Sequence, residues 1–371
     1  MSDSPIFVHS LFRAGSTYMF QVFRRSPMAY TCYQEPMHEV AWYARHQPVF
    51  LLQQGDDSTQ RLLRHPTLSA GYFQELHDAW PAWRDTLQAR HIYDAHFAEP
   101  GMDCGVPFWQ ALIKASPGRP VFQDCRSTGR MGALKAAMGG HHLYLWRNPW
   151  DQWWSYKVAP YFDSTTRFIL LASHAPGMLQ VLCQRWGIQP PPTADLAQGF
   201  AHFAQNPLPD DASYQAFYAL WCLALRASWV HADLRLNIDQ LSDSAAHRHD
   251  TLAQLGALGI TGLDLTDCQV PQRLYTQAER DFFTKQERAV HNDLLADGWT
   301  LQEVQGIQAQ QHAAAPTRRA RAGSRFEARA EADREQRLKT LRPHPANAPA
   351  PTATPTWLRR WLRRWMSKLR N

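Results

Sequence analysis

Two short segments of this chain share one pattern, and it restricts the fold more than any other feature. Pro5-Ile6-Phe7-Val8-His9-Ser10 runs into Leu11-Phe12-Arg13-Ala14-Gly15-Ser16-Thr17-Tyr18, and His142-Leu143-Tyr144-Leu145-Trp146 runs into Arg147-Asn148-Pro149-Trp150-Asp151-Gln152-Trp153-Trp154-Ser155. In each, an apolar run of strand length breaks into a turn with an arginine and small hydroxyl side chains, then resumes at helical spacing. Strand, loop and helix start in that order make an anion cradle, because backbone N–H groups line a concavity, glycine leaves room and a cation offsets the charge. Two cradles in one chain predict a ligand with phosphate-like charge at both ends.

The alternation continues along the chain. Strands are expected at 6–10, 29–34, 121–125, 142–146 and 234–239. Helices are expected at 15–25, 128–138, from about 149, at 214–231, and through Leu252, Leu255 and Leu258. Residues 40–118 read as a mostly helical, aromatic insertion over the sheet. Strands separated by helices imply an α/β fold with a P-loop-like central, mostly parallel sheet flanked by helices, and ligands at the carboxyl ends of its strands. Residues 1–312 are expected to form this domain. Residues 313–342, rich in Arg, Glu and Ala, read as a charged helical or disordered segment, and 343–356, with five prolines, as an extended linker reaching roughly 40 Å.

The net charge of +6 is carried entirely by residues 357–371, where six Arg and Lys meet no acid. The body is then formally neutral, which argues against a nucleic-acid partner. In that tail Trp357, Leu358, Trp361, Leu362, Trp365, Met366 and Leu369 recur at three- and four-residue steps. Such an amphipathic helix suits an anionic membrane surface, the alternative being a helix docked on a protein. With no apolar run of spanning length and no leader pattern at Met1-Ser2-Asp3-Ser4, the expected location is cytoplasmic, peripheral at the inner face of the membrane. Cys32, Cys104, Cys125, Cys183, Cys222 and Cys268 form no C-x-x-C pair and are expected to be buried thiols.

The first loop lacks the Lys that a nucleoside-triphosphate P-loop places before its Ser or Thr; Gly15 is followed directly by Ser16-Thr17. Arg13-Ala14-Gly15-Ser16-Thr17-Tyr18 instead resembles the 5′-phosphosulfate loop of the sulfotransferases that use 3′-phosphoadenylyl sulfate, and Arg147 with Ser155 eight residues on resembles that family's 3′-phosphate motif. The resemblance covers about residues 5–262 and is closest in style to the carbohydrate sulfotransferases. It departs from the soluble enzymes at Arg13, where they have Lys, and at Ala14, where Ser is common.

What the resemblance implies is sulfuryl transfer from 3′-phosphoadenylyl sulfate to a hydroxyl of a carbohydrate or glycolipid, without a metal. Arg13 would stabilise charge on the leaving phosphate, since arginine does not readily give up a proton. Ala14, Gly15, Ser16 and Thr17 would bind the 5′-phosphate, and Arg147 and Ser155 the 3′-phosphate. Tyr18 would stack on adenine or pack in the core. Glu35, followed by Pro36, resembles the Glu-Pro element of the carbohydrate branch and is the first candidate for the base, the alternative being an internal pair with an arginine. His38 and Glu39 are weaker candidates, and His9 reads as a satisfied core histidine. His38, Asp124 and Arg126, with Arg130, are candidates for acceptor or phosphate binding, against a surface salt bridge for the arginines. Trp146, Trp150, Trp153 and Trp154 read mostly as packing. The competing function classes are a P-loop nucleotide-binding protein or kinase and a non-catalytic membrane-tethered binding protein.

Overall fold

The computed structural model describes residues 4–52, 70–270 and 275–314. The charged segment from 315, the proline-rich linker and the tail at 357–371 lie outside the described residues. Five parallel strands, β1 (Ile6–Ser10), β2 (Tyr30–Gln34), β3 (Arg119–Asp124), β4 (His141–Trp146) and β5 (Leu234–Asn237), form one sheet in the order β2-β3-β1-β4-β5. Every pairing is parallel, with Phe7 opposite Phe122 and His142, and Leu145 opposite Leu236. Chain direction across the sheet reverses around β1, so the ends of β1, β3 and β4 meet at the crevice where such sheets take ligands.

Period-two alternation sends two sets of side chains to opposite faces. Ile6, Val8, Cys32, Val121, Leu143, Leu145 and Leu236 pack with Met19, Phe20, Val22 and Phe23 of the helix Ser16–Arg24 and Leu255 of the helix Ala245–Ala257. Phe7, Tyr33, Phe122, Tyr144 and Trp146 face the larger core, built from Trp109 of Val106–Ala115, Leu134 of Met131–Met138, and Trp221 and Leu225 of Asp210–His231. Both faces are buried, which is why these strands read as nearly continuous apolar runs.

Element boundaries shift where a cap outranks periodicity. The long helix starts at Asp210, not 214, because Pro209 precedes it and Asp210 and Asp211 suit its first turn. The fifth strand stops at Asn237, whose side chain accepts from Asp239 N and Gln240 N and starts the helix Ile238–Asp243. The described part of 40–118 holds short helical pieces, among them Glu39–Ala44, Gln74–Asp78 and Val106–Ala115. All six cysteines are buried and unpaired. Among the described residues no helix is long and apolar enough to cross a membrane.

Candidate functional site

The loop after β1 turns on two left-handed residues, Arg13 (φ 68) and Gly15 (φ 93). Glycine adopts that conformation freely, and a Cβ at Gly15 would stand 2.9 Å from Ile238 Cγ1. The helix Ser16–Arg24 begins there without a side-chain cap, so its first N–H groups front the loop. Ser16 and Thr17 are buried beside it, and Ala14 is buried against the core.

The second loop is held by caps. Asn148 Oδ1 accepts from Trp150 N and Asp151 N, and Pro149 opens the helix Pro149–Tyr156. Ser155, in the last turn of that helix, accepts a hydrogen bond from Arg13 Nε at 3.0 Å. The sequence pairs Ser155 with Arg147 by spacing; the structure brings it to Arg13. Arg147, also buried, donates from Nε to Asp239 Oδ1 at 3.2 Å, while Asn148 N donates to Asp239 Oδ2 at 2.6 Å. Burial pushes the Asp239 carboxyl up to about 6 against the pull of Arg147, and Asp151 adds to the rise. The Nδ2 of Asn237, at the end of β5, is a buried donor with no hydrogen-bond partner among the described residues.

Tyr18 lies at the rim. Its hydroxyl donates to Asp267 at 3.0 Å, and its ring packs partly against the smaller core.

At the other end of the crevice, Glu35 sits just past β2 in a left-handed conformation (φ 40). Two residues of β3 brace that turn: Glu35 N donates to Gln123 O at 2.6 Å, and Met37 N donates to Asp124 Oδ2 at 3.1 Å. Asp124 Oδ1 accepts in turn from Arg126 N, so Asp124 is a buried brace for two loops. Burial raises its pKa despite the nearby Arg126 and Arg130.

Arg126 is fully buried, which overturns the surface salt bridge. Its Nη1 donates to Glu35 Oε2 at 2.7 Å, Nη2 to Glu39 Oε2 at 2.8 Å and Tyr161 Oη at 2.6 Å, and Nε to Tyr93 Oη at 3.3 Å. Tyr72 donates to Glu35 Oε1 at 2.9 Å. Tyr93 and Tyr161 donate to Glu39 Oε2 and Oε1, each at 2.8 Å. Burial pushes the Glu35 carboxyl up, but Arg126, His38 and the bonds from Arg126 and Tyr72 outweigh it and hold Glu35 below its usual value. The same contest leaves Glu39 at about 2, with His38, Arg126 and Tyr161 opposing burial. His38 accepts from Val40 N through Nδ1 and meets Tyr161 Oη through Nε2 at 3.3 Å; burial lowers its pKa, so it is neutral at neutral pH.

Two aromatic rings join the ends of the crevice. The Arg13 guanidinium lies 5.6 Å from the Phe162 ring centre, Phe162 is 5.8 Å from Phe12, and Arg126 lies 5.1 Å from Phe12.

Other sequence candidates are structural. Arg130 is buried and donates to the carbonyls of His91, Ile92 and Arg126. His9 hydrogen-bonds Ser127 Oγ at 2.7 Å and His142 Nδ1 at 2.9 Å in the core, as expected of it. Trp146 packs edge-on to Trp221, Trp150 donates to Glu287 and Trp153 to Ser213. Tyr72, Tyr93, Tyr161 and Asp239 were not foreseen. Only Asp239 carried a signal, as the second residue after the helix-capping Asn237. No group of three or more His, Cys, Asp or Glu among the described residues is arranged to hold a metal. No family model, curated protein or solved structure matches the chain.

Proposed function

We propose that the protein transfers a sulfuryl group from 3′-phosphoadenylyl sulfate to a hydroxyl of a carbohydrate or glycolipid. One contact carries the reading: Arg13 of the first loop hydrogen-bonds Ser155 of the helix Pro149–Tyr156, which the second loop opens. The two loops that resemble the cofactor-binding motifs therefore front one crevice, as a single doubly charged nucleotide requires.

The chemistry follows from the residues. The acceptor oxygen attacks sulfur in line, the bond from sulfur to the 5′-phosphate oxygen breaks, and that oxygen leaves with the electron pair. Arg13, oriented through Nε by Ser155, faces the charge that develops there. The acceptor proton passes to Glu35. Each Glu35 oxygen accepts one protein hydrogen bond and keeps a lone pair for an incoming hydroxyl. Its lowered pKa makes it a weak base, which suits a loose transition state where bond formation lags and the proton leaves late. The loop N–H groups with Ser16 and Thr17 bind the 5′-phosphate, and Arg147 with Ser155 the 3′-phosphate.

The test is a pair of thermal-stability titrations, with adenosine 3′,5′-bisphosphate and with ATP. Stabilisation by the bisphosphate is expected to rise to roughly 3 kcal/mol at a hundredfold excess over Kd, and Arg147→Ala removes most of it. Glu35→Gln keeps the bisphosphate effect and abolishes transfer. Stabilisation by ATP alone refutes the proposal in favour of a phosphotransfer or nucleotide-binding protein.

A further inference from the structure

Among the described residues, the Glu35 end of the crevice contains two arginines, and the protein itself occupies both. All three guanidinium nitrogens of Arg126 donate to Glu35, Glu39, Tyr93 or Tyr161. Both Nη atoms of Arg130 donate to backbone carbonyls. Neither side chain is exposed to solvent. Against these two cations stand three buried carboxylates, Glu35, Glu39 and Asp124, so the group carries one excess negative charge when all are ionised. It is flanked by neutral hydrogen-bonding groups. Tyr72 Oη and Tyr161 Oη hold the carboxylates, His38 stacks on Tyr161, and Phe73 packs edge-on to His38 and Tyr72. Gln34, next to Glu35 and bonded through Nε2 to Tyr72 Oη, has a buried Oε1 without a partner. A buried acceptor of that kind calls for a donor such as a hydroxyl.

These features select by charge. Hydroxyl-rich, uncharged surfaces satisfy tyrosines, an amide and carboxylates, and aromatic rings cover the apolar face of a sugar. An anionic group brought here meets a net negative, water-poor cluster whose cations are already bound, and like-charge juxtaposition is the standard means of turning a ligand away.

We propose, resting on the sulfotransferase reading above, that the acceptor hydroxyl belongs to an uncharged polyhydroxyl unit, a neutral sugar of a glycan or glycolipid, and that this end of the crevice rejects sugars bearing a carboxylate or sulfate. Arg126 is then a positioning residue that holds Glu35, and it does not contact the acceptor.

The experiment supplies the full-length protein with 3′-phosphoadenylyl sulfate carrying radiolabelled sulfur and a panel of paired acceptors. Each neutral glycan is matched with its uronate, sialylated or sulfated counterpart, and both are offered free and lipid-linked. Label is expected on neutral members with kcat/KM at least roughly tenfold above their acidic counterparts, and Glu39→Gln narrows that gap. A free-versus-linked difference among the neutral members identifies glycan or glycolipid as the source. Preference for acidic members, or label on no member, overturns the proposal. Bisphosphate stabilisation measured on the same protein separates the two failures: if it persists while acidic acceptors win, only the acceptor inference falls, and if it is absent, the sulfotransferase reading falls with it.

Discussion

Glu35 and Glu39 at one end of the crevice and Glu287 in the helical layer are all buried carboxylates, yet their pKa values move in opposite directions. Glu287, on the helix Gln277–Ala296, accepts from Trp150 Nε1 at 2.5 Å, Tyr214 Oη at 2.6 Å and Gln311 Nε2 at 2.7 Å, all at Oε1. Burial still raises its pKa. Glu39 accepts the same number of donors, and one of them is the Arg126 guanidinium. Its pKa falls to about 2. Three neutral hydrogen bonds do not offset desolvation of the Glu287 carboxylate, whereas His38 and the Arg126 guanidinium, with the bond from Tyr161, do so for Glu39. The first arrangement joins helices; the second keeps buried carboxylates ionised.

The comparison breaks most sharply at Arg126. Arg126→Met leaves two buried carboxylates without their counter-ion, and chemical denaturation should show a loss of about 3–5 kcal/mol; a loss below about 1 kcal/mol would mean that the cluster is already solvated. Next is acid stability. The folded-state pKa of Glu39 lies below its ordinary value of 4.5, so its contribution is full above about 4.5 and is lost as pH falls through about 2. It is worth about 3 kcal/mol, and thermal midpoints from pH 6 to pH 2 should fall less steeply in Glu39→Gln than in the parent. The smallest effect belongs to Glu287→Gln. The raised pKa gives the opposite sign: stability is fully present below the ordinary carboxylate value and lost as pH rises through the folded one. The amide removes that loss, so stability near pH 7 should stay within about 1 kcal/mol of the parent or rise, with a flatter pH profile. A drop of the size expected for Arg126→Met would erase the distinction between the two regions.

Much of the sheet was legible, because its strands are buried on both faces and bounded by Gly, Pro and Asn. β1 falls at 6–10 as read, and β2 to β4 within two residues. What failed at the boundaries was capping, as at Pro209 and Asn237, where local hydrogen bonds end or begin an element regardless of apolar spacing. The turns carrying Arg13 and Glu35 were legible because Gly15 and the Glu-Pro step are local signals. Their partners were not. Ser155 meets Arg13 across 142 residues of chain, Tyr72 reaches Glu35 across 37, and Asp239 reaches Arg147 across 92. Nothing in a linear spacing encodes those meetings; strand order does, and strand order is a property of the packed sheet. Arg126 shows the same limit, since beside Asp124 in sequence it looks like half of a surface pair.

The central place of β1 also has a consequence for synthesis. Its neighbours are β3 and β4, and both follow it by more than a hundred residues, roughly. At about 5 to 20 residues per second, the first strand leaves the ribosome and waits on the order of ten seconds for either partner. Throughout that interval the helix Ser16–Arg24 can already cover Ile6 and Val8, while Phe7 lacks Trp109 and Phe122 and Gly15 lacks Ile238, which closes the loop from the far end of the sheet. The turn around Gly15 is thus synthesised early and completed late, once Ile238 has followed it.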